Sequence, residues 1–292
     1  MVAVSLVKGQ KIKDNIKESL DIISEDIKKG LKAGQVIIKP NFVSTSLQLA
    51  ATHAEQIRGI LDYFKEFYDK KITIAEAASP FTGGTWEGFN NFAYHQLNEE
   101  YNVELLDLNE GPFEKIPILD INGKTIYVRV SSLLLDRNNY LISAAKLKTH
   151  DTVVVTLSIK NLVMGSIYAG DKVMMHQGYK YTNLNLAEIA GHVWPDLAVI
   201  DGLIGMEGNG PEHGTPIDVG IALSSVDPLA ADRVGCELMG VDLNKVGYLY
   251  YCSVKGSGES GLDNIDVKGQ DLGECIRPFR LHALVEEQYD WR

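Results

Sequence analysis

The chain has 292 residues, of which 45% are hydrophobic and 23% are charged, and both fractions are typical of a globular protein. Its formal net charge of -11 argues against a nucleic-acid partner, because a surface that binds phosphates is normally basic. No uncharged apolar run reaches the roughly 18 residues that span a membrane, and the N-terminal segment becomes charged too early for a signal peptide. We therefore expect a soluble, cytoplasmic protein without a membrane or nucleic-acid partner.

Cysteine is sparse in this chain. The three residues, Cys236, Cys252 and Cys275, form no CxxC pair and have no spacing typical of a zinc or iron–sulfur site. An odd, sparse set of cysteines suits a reducing compartment such as the cytosol. The sequence therefore predicts no iron–sulfur cluster.

In the first half of the chain, short apolar runs alternate with segments whose apolar residues recur at helical spacing. The elements predicted there, in chain order, are a strand over Val2–Val7, a helix over Ile12–Leu31, a strand over Val36–Lys39, a helix from Thr52 to Tyr68, a strand over Ile72–Glu76, a helix from Thr85 to Glu99, a strand over Val103–Asp107 and a strand over Tyr140–Ala145. Between the last two, Asn122-Gly123 predicts the type I′ turn of a hairpin.

The second half repeats this alternation. The elements predicted there are a helix over Asn183–Val193, a strand over Leu197–Asp201, a long glycine-rich loop over residues 202 to 216, a strand over Val219–Val226, a helix that opens at Asp227-Pro228 and a terminal helix over Arg280–Arg292. Strands that alternate with helices predict an α/β fold, in which a mostly parallel sheet carries helices on both faces.

The length suits a single α/β domain over residues 1–292, with lobes of about 1–150 and 151–292 around a cleft as the alternative arrangement. Ligands of open α/β sheets bind beyond the carboxyl ends of the strands. Ionisable residues occupy those ends here, namely Lys39, Glu76, Asp107, Lys146 and Asp201. They predict one charged cleft; the alternative is that they begin ordinary solvated loops.

The segment Tyr140–Gly165, YLISAAKLKTHDTVVVTLSIKNLVMG, concentrates cations in an acidic chain. In an extended run, Lys146, Lys148 and His150 share one face. Two ammonium groups beside an imidazole disfavour its protonation, so His150 is suited to act as a general base or a metal ligand near neutral pH. The alternative is a solvated edge that carries an incidental histidine.

Lysine and asparagine occur together at two further places. Lys39-Pro40-Asn41 presents an ammonium and an amide from a stiff turn, and Lys160-Asn161 repeats this pair of side chains. Such groups suit a carboxylate, sulfonate or phosphate oxygen. For the first pair, a strand-ending proline followed by a turn asparagine is the alternative interpretation.

The conformation of Thr152–Lys160 is ambiguous in the sequence. Its apolar residues alternate as in a strand, whereas Thr149 is also a suitable cap for a helix. A strand would separate His150 from Lys160 by about 33 Å and a helix by about 15 Å. Both residues therefore reach one small ligand only if the chain bends between them.

A metal site is predicted from His176 and from acidic residues of the glycine-rich segment. His176 lies in a loop-like stretch, and Asp201 and Glu207 belong to DGLIGMEGNGPEH, which also contains Asn209. A carboxylate pair with a nearby histidine can hold a divalent cation, and long glycine-rich loops often act as lids. The alternatives are that His176 is merely a loop histidine and that the glycine-rich segment is a loop of turn residues without a ligand.

Asp232 is unusual because it follows two alanines inside a predicted helix, where aspartate has poor propensity. It is expected either to take part in the function or to make a structural ion pair with one of the lysines. Cys236, on the apolar face of the same helix, is assigned to the core.

Four groups of motifs occur in an order that resembles one known family: VIIKPNFV, AAKLKTH with VTLSIKNLVMG, VIDGLIGMEGNGPEHGTP and SSVDPLAADRVGCELMG. They extend from Val36 to Gly240, and through them the chain is identified as a member of domain of unknown function family 362. Many relatives carry an appended ferredoxin-like segment with clustered cysteines, which this sequence lacks. The resemblance therefore implies no iron–sulfur role here.

The chain is also similar, more distantly, to the nickel-pincer lactate racemase family. That family has a catalytic histidine, then a lysine that bears the cofactor, then a histidine on the metal, and His150, Lys160 and His176 occur in this order. The resemblance implies an acid–base role for the first, cofactor attachment for the second and metal binding for the third. Ile159-Lys160-Asn161 departs from the glycine-rich approach to the lysine in that family.

Together these residues predict an enzyme that binds a small anionic substrate and abstracts a proton next to a carboxylate, as in a racemase. His150 is the expected general base and Lys160 the expected electrostatic stabiliser. The anion-binding side chains are expected to be Lys39, Asn41, Lys146, Lys148, Asn161 and Asn209, and the metal ligands His176, Asp201 and Glu207. The alternative class is a non-catalytic binding protein for an anionic metabolite or cofactor.

Overall fold

The computed structural model of this chain describes residues 1–292. The strands are β1 (Val2–Lys8), β2 (Val36–Lys39), β3 (Ile72–Glu76), β4 (Val103–Asp107), β5 (Phe113–Leu119), β6 (Thr125–Ser131), β7 (Tyr140–His150), β8 (Val154–Thr156), β9 (Leu197–Asn209), β10 (His213–Ser225) and β11 (Ile265–Gly269). The helices are α1 (Ile12–Ile22), α2 (Ser24–Gly30), α3 (Ala54–Phe64), α4 (Thr85–Asn91), α5 (His95–Glu100), α6 (Ser132–Leu135), α7 (Ser158–Ser166), α8 (Gly178–Ala190), α9 (Pro228–Leu238), α10 (Gly247–Val254), α11 (Leu272–Cys275) and α12 (Val285–Gln288). None of these helices is long and apolar enough to span a membrane.

Nine strands form one sheet in the order β11-β1-β10-β9-β7-β2-β3-β4, with β8 paired to β7 outside this path. The pairs β2–β7, β2–β3, β3–β4, β7–β9 and β1–β11 are parallel, whereas β10 runs antiparallel to both of its neighbours. β5 and β6 form a separate antiparallel hairpin. The predicted mostly parallel sheet is confirmed, and strands from both halves of the chain lie side by side in it.

Helices cover both faces of the sheet, as predicted, because successive residues of a strand point to opposite sides. In β2, Val36 and Ile38 belong to the core formed with α1 to α5, whereas Ile37 belongs to the core formed with α7 to α10. Every residue of β2, β3 and β7 is buried. Strands that are buried on both sides form continuous apolar runs, which is why β2 and β3 are recognisable in the sequence.

Several predicted boundaries agree with the structure. Val36–Lys39, Ile72–Glu76 and Val103–Asp107 are strands with the predicted ends. Pro40 follows the first of them and cannot donate a backbone hydrogen bond to a neighbouring strand. The Asp227 carboxylate accepts hydrogen bonds at 3.0 Å from two amides in the first turn of α9, so the predicted cap of this helix is also confirmed.

Two long predicted helices are each divided into two in the structure. Ile12–Leu31 is divided into α1 and α2 at Ile23, whose backbone (φ -111°, ψ 20°) is not helical. Thr85–Glu99 is divided into α4 and α5, and Ala93 between them has a left-handed φ of 60°. Apolar residues continue at helical spacing across both breaks, so the sequence pattern does not reveal them.

The start of α3 differs from the prediction. His53, rather than Thr52, caps the helix, because its Nδ1 accepts a hydrogen bond from the amide of Glu55 at 3.1 Å. The Thr52 hydroxyl donates to the carbonyl of Ala144 at 2.7 Å and accepts from the amide of Asn41 at 2.8 Å. Thr52 therefore holds the turn after β2 against the central strand β7.

The central strand β7 does not end at Lys146 as predicted. It continues to His150, and all eleven of its residues are buried. Its last residues pair with β8, where Lys148 lies opposite Thr156 and His150 lies opposite Val154. The two lysines and the histidine are therefore inside the protein rather than on a solvated edge.

Residues 202 to 216, predicted to be a long loop, are mostly strand. β9 and β10 form a hairpin in which Asn209 lies opposite His213, with the turn at residues 210 to 212. Glycine is needed in the turn because the chain passes close to β7, where a Cβ on Gly210 would overlap the carbonyl of Thr149. The predicted lid is thus a hairpin whose turn contacts the end of β7.

In the C-terminal tail, predicted as a helix over Arg280–Arg292, only Val285–Gln288 is helical. The residues before it lie along the β9–β10 hairpin. The amide of Arg280 donates to the Glu207 carboxylate at 2.9 Å, and its carbonyl accepts from the amide of Gly208 at 2.6 Å. These two backbone groups form hydrogen bonds with the hairpin, so they do not form the hydrogen bonds of a helix.

The first residue of β8, directly after the turn that follows β7, is strained. Val154 has a φ of 68°, in the left-handed region that β-branched residues rarely adopt. Its amide donates to Oε1 of the buried Gln288 in α12 at 2.7 Å. The C-terminal tail therefore fastens the turn that reverses the chain between His150 and Lys160.

Replacing Gln288 by leucine is expected to lower the free energy of unfolding by about 1–3 kcal/mol, because the buried amide of Val154 loses its acceptor. Urea denaturation followed by circular dichroism measures this change. Gln270→Leu, at an exposed position, is the matched control and should change stability by less than about 0.5 kcal/mol. Equal stabilities of the two variants would contradict the role assigned to Gln288.

Candidate functional site

A cavity of about 280 Å³ lies beyond the carboxyl ends of β2, β3 and β7. Its walls come from the turn after β2, the end of β7, α7, the segment before α8 and the turn of the β9–β10 hairpin. Of the residues predicted for the site, those that line it are Lys39, Asn41, Lys148, His150, Lys160, Asn161 and His176. The cavity therefore collects groups that are far apart in the sequence.

The chain bends between His150 and Lys160, so that both residues line the cavity. After β7, a turn at residues 151 to 153 reverses the chain, β8 returns alongside β7, and α7 begins at Ser158. Thr152–Lys160 is thus neither one continuous strand nor one continuous helix. Because of this bend, His150 and Lys160 are both able to contact one small ligand.

A buried ion pair forms one wall of the cavity. Lys39 Nζ lies 2.7 Å from Glu76 Oε2, and burial lowers the pKa of Lys39 while the Glu76 charge opposes that shift. The Glu76 carboxylate also accepts hydrogen bonds from the amides of Phe42 at 3.1 Å and Ala77 at 2.8 Å. Gly165 of α7 packs against this lysine so closely that a Cβ there would overlap its side chain. The two backbone amides and α7 therefore pack directly against this ion pair.

Two asparagines connect β7 to the turn after β2 and to α7. Lys148 Nζ donates to Asn41 Oδ1 at 2.6 Å and to the carbonyl of Ala50 at 2.9 Å. Asn41 Nδ2 donates to Asn161 Oδ1 at 3.1 Å, and Asn161 Nδ2 donates to Ser143 Oγ at 3.0 Å. This chain of hydrogen bonds orients Lys148 and ties α7 to the sheet.

Three lysines of the cavity have no carboxylate within salt-bridge distance: Lys148, Lys160 and Lys172. Lys148 is 1% exposed and Lys160 is 9% exposed. Lys172 Nζ donates to the carbonyl of Ala77 at 2.6 Å, whereas Lys160 Nζ has no hydrogen-bond partner in the chain. The protein therefore leaves much of their charge without a counter-ion.

Burial lowers the pKa of each of these three lysines. The pKa of Lys148 falls well below its ordinary value, through burial first and then through the charges of Lys160 and Lys146. Burial lowers the pKa of Lys160 to about 8, and the charge of Asp151 opposes the shift. The pKa of Lys172 is also lowered to about 8 by burial. The cavity is thus an environment in which ammonium groups are destabilised until a negative charge arrives.

Lys160 is positioned by a buried carboxylate on another helix. Asp232 of α9 accepts hydrogen bonds from the amides of Ser158 at 2.8 Å and Ile159 at 3.1 Å, and so caps α7. Burial raises the pKa of Asp232 to about 7, although the hydrogen bonds from these two residues act in the opposite direction. The sequence predicts either a functional role for Asp232 or an ion pair with a lysine. Asp232 forms no salt bridge with a lysine in the structure.

The two histidines of the cavity differ in exposure and in partners. His150 is buried, and its Nδ1 accepts a hydrogen bond from the amide of Thr152 at 3.0 Å. His176 is exposed, and its Nδ1 lies 3.2 Å from the carbonyl of Lys172. Burial, followed by the charge of Lys160, holds the pKa of His150 well below its ordinary value. His150 is therefore a neutral imidazole at physiological pH.

Four predicted site residues lie outside the cavity. Lys146 Nζ donates to Asp201 Oδ2 at 3.0 Å in a buried ion pair between β7 and β9. The Glu207 carboxylate and Asn209 Oδ1 each accept a hydrogen bond from an amide of the C-terminal tail, at 2.9 and 3.1 Å. These four side chains hold the sheet, the hairpin and the tail together.

The three predicted metal ligands are not brought together. His176 lines the cavity, whereas Asp201 and Glu207 lie on β9 with the partners just described. No group of three or more His, Cys, Asp or Glu side chains in the structure is arranged to hold a metal ion. The residues present therefore do not fit the predicted divalent-cation site.

The five charged strand ends do not share one cleft. Lys39 and Glu76 line the cavity, whereas Lys146 and Asp201, which lie inside β7 and β9 rather than at their ends, form the ion pair described above. Asp107 instead closes the turn after β4, where its Oδ1 accepts from the amide of Asn109 at 2.8 Å and the hydroxyl of Thr85 at 2.9 Å. Four of these five side chains thus pair with one another between strands, and Asp107 is the one that its own turn satisfies.

Three charged residues that line the cavity were not predicted from the sequence: Asp151, Lys172 and Glu212. Two of them had a local signal, because Asp151 follows His150 directly and Lys172 lies shortly before His176. Glu212 had none, since it reaches the cavity only because the β9–β10 hairpin brings its turn against β7.

The fold and this cavity define an α/β protein with a lysine-rich site at the carboxyl ends of parallel strands. The model of the family described as domain of unknown function (DUF362) matches residues 36–237. The chain belongs to this family, as its four groups of motifs predicted. The matched region contains the whole cavity lining but not the C-terminal tail.

One curated relative is the thylakoid-associated protein sll1697 of Synechocystis sp., which is 26% identical over 214 residues, covering 71% of this chain and 64% of that protein. The chain thus spans less than two thirds of the length of this relative. Among solved structures, the lactate racemase apoprotein of Thermoanaerobacterium thermosaccharolyticum has a TM-score of 0.49 and 14% identity, covering 82% of this chain and 58% of that one. A protein from Thermotoga maritima has a TM-score of 0.43 and 14% identity, with coverages of 80% and 60%. Neither structural likeness defines a function for this chain.

Proposed function

We propose that this protein is an enzyme that binds a small anion in the cavity and acts on it by proton transfer. The observation that carries the proposal is the set of lysines without carboxylate partners around one cavity, Lys148, Lys160 and Lys172. Buried charges that lack a counter-ion are costly to a folded protein. A bound anion supplies the missing negative charge, favours the protonated form of each amine, and is held by lysine side chains that are already in place.

The carboxylates of the cavity do not supply the counter-ion that these lysines lack. Glu76 is paired with Lys39 at 2.7 Å. The Asp151 side chain is 52% exposed and accepts a hydrogen bond from the Thr152 hydroxyl at 2.9 Å. Glu212 lies in the hairpin turn and forms no salt bridge. The unpaired lysines therefore remain available to a ligand.

The size and polarity of the cavity restrict the ligand. A volume of about 280 Å³ is at the lower end of ligand pockets, which usually measure about 300–1,000 Å³. Only three of the eighteen lining residues are hydrophobic. This combination favours a compact, strongly polar molecule, such as a small carboxylate, sulfonate or phosphate, over a nucleotide or a lipid.

Two groups support an enzyme rather than a binding protein alone. The pKa of Lys160 is about 8, so this amine exchanges its proton within the physiological range. His150 is neutral and lines the same cavity. Perturbed ionisable groups that converge on one cavity are typical of catalytic sites.

Isothermal titration calorimetry with sulfate, phosphate, pyruvate and malonate tests the binding step. At least one of these anions is expected to bind with one site per chain, and the uncharged analogue malonamide is expected not to bind. Failure of all four anions would contradict the proposal. Proton NMR of pyruvate and malonate in D₂O with the protein then separates the two classes, because only an enzyme accelerates exchange of their carbon-bound protons.

A further inference from the structure

We infer that His150 and His176 are held in opposite tautomers, so that His150 offers a proton and His176 offers a lone pair to one ligand in the cavity. The inference rests on the proposed binding of a small anion there and gives that anion a chemical class. The class is a carboxylate with an adjacent carbonyl group and an acidic C–H bond. It also reverses the role expected for His150, which was that of general base.

The tautomer of His176 follows from its partner. Its Nδ1 lies 3.2 Å from the carbonyl oxygen of Lys172. A carbonyl oxygen only accepts hydrogen bonds, so Nδ1 carries the proton. In the neutral ring the other nitrogen, Nε2, then holds a lone pair, and it has no partner in the chain. His176 therefore presents a proton acceptor at the cavity.

The tautomer of His150 is the reverse. Its Nδ1 lies 3.0 Å from the backbone nitrogen of Thr152, and a backbone amide only donates. Nδ1 therefore holds the lone pair and Nε2 carries the proton, which has no acceptor in the chain. His150 presents an N–H group from the buried side of the cavity.

The Asp151 carboxylate does not change this assignment. Its Oδ1 also lies 3.0 Å from His150 Nδ1, but only the Thr152 amide has hydrogen-bond geometry toward that nitrogen. The same Oδ1 accepts the Thr152 hydroxyl at 2.9 Å, so its hydrogen-bonding need is met elsewhere. Protonation of His150 would also bring a third cation beside Lys148 and Lys160 in the buried part of the cavity.

The opposite tautomers define a balanced proton transfer. A carboxylate held by the lysines places its neighbouring carbonyl oxygen on the N–H of His150 and its C–H group toward Nε2 of His176. The C–H bond breaks, its proton moves to His176 Nε2, and the electron pair of that bond forms a C=C double bond while the π electrons of the carbonyl group move to its oxygen. The N–H group of His150 donates a hydrogen bond to this oxygen and stabilises its negative charge, and the product is the enolate of the same acid, with His176 protonated. No oxidant, reductant or further reactant is required.

Long-range ¹⁵N–¹H NMR spectra of histidine-labelled protein test the tautomers directly and need no ligand. His150→Gln and His176→Gln variants assign the two sets of signals. The expected spectrum shows His150 protonated at Nε2 and His176 protonated at Nδ1. The same tautomer in both residues, or two exchanged tautomers, would overturn the inference while leaving the calorimetric test of anion binding unaffected.

Exchange of the methyl protons of pyruvate in D₂O tests the roles. His176→Gln is expected to slow this exchange at least about tenfold, because glutamine takes up no proton. His150→Gln retains a hydrogen-bond donor and is expected to lose less activity than His150→Leu. His192→Gln, at a surface position outside the cavity, is the matched control. No exchange with the unaltered protein, or equal losses in both His150 variants, would overturn the assigned roles.

Discussion

Replacing Lys160 by methionine is expected to weaken binding of the anion by roughly tenfold to a hundredfold. The ammonium has no partner in the chain, so its hydrogen bond to the anion is lost outright, and a charge-assisted hydrogen bond contributes about 1.5–3 kcal/mol. The methionine side chain keeps most of the apolar stem that packs in the cavity. The fold is expected to remain at least as stable, because an uncompensated buried charge has been removed.

Calorimetric titration of the anion that binds best to the unaltered protein measures this loss. Lys124→Met, which removes an exposed lysine that does not line the cavity, is the matched control and is expected to leave the affinity unchanged. Thermal unfolding of both variants checks that the fold is retained. Unaltered affinity in Lys160→Met would remove this lysine from the anion site.

The affinity of the unaltered protein is also expected to fall as the pH rises through about 8. The anion is held by the protonated amines, and the pKa values of Lys160 and Lys172 are both about 8. Above that pH both groups lose their protons and their charge. The decrease should be shallower in Lys160→Met, where of these two lysines only Lys172 still titrates in this range. Titrations at several pH values, from about one unit below these pKa values to about one unit above them, measure it.

Replacing Glu76 by glutamine is expected to lower the free energy of unfolding by about 3–5 kcal/mol, because Lys39 is left inside the protein without a counter-ion. Stability of this variant should recover as the pH rises. Burial holds the pKa of Lys39 below its unfolded value, so the unfolded chain binds more protons and higher pH favours the folded state. Urea denaturation at several pH values measures both effects.

A double-mutant cycle isolates the ion pair from the other contacts of Glu76. The double variant Lys39→Met with Glu76→Gln is expected to be more stable than Glu76→Gln alone, because it contains no uncompensated ammonium. Equal stability of the single and double variants would show that the cost arises from the two amides bonded to Glu76 rather than from the charge of Lys39.

The strands of the sheet were easier to predict than their connections. β2 and β3 are fully buried and short, so their apolar runs define both ends, and Pro40 marks one of them. The extensions of β9 beyond Asp201 and of β10 before Val219 were missed because glycine usually indicates a turn, whereas Gly210 is needed for a close approach to the carbonyl of Thr149. That requirement comes from the neighbouring strand and leaves no local pattern.

The same limit applies to the site. Lys148 and His150 were recognisable because cations are unusual in an apolar segment. Lys146 was placed beside them, since it lies on the same face of a regular strand. In the structure the register of β7 against β9 shifts between Lys146 and Lys148, so the two lysines have different neighbours. Asp232 and its contact with α7 depend on tertiary packing, which no spacing in the sequence encodes.

The position of β1 in the sheet bears on how the chain folds during synthesis. β1 is made first, yet its neighbours are β10 and β11, with Ser5 opposite Ser224 and Val2 opposite Ile265. β2, β3 and β4 pair with one another, and all three have been synthesised long before β10 and β11. A nascent chain that stalls before Ile265 therefore leaves the edge of β1 unpaired, and this edge is where chaperones or aggregation would act on the unfinished protein.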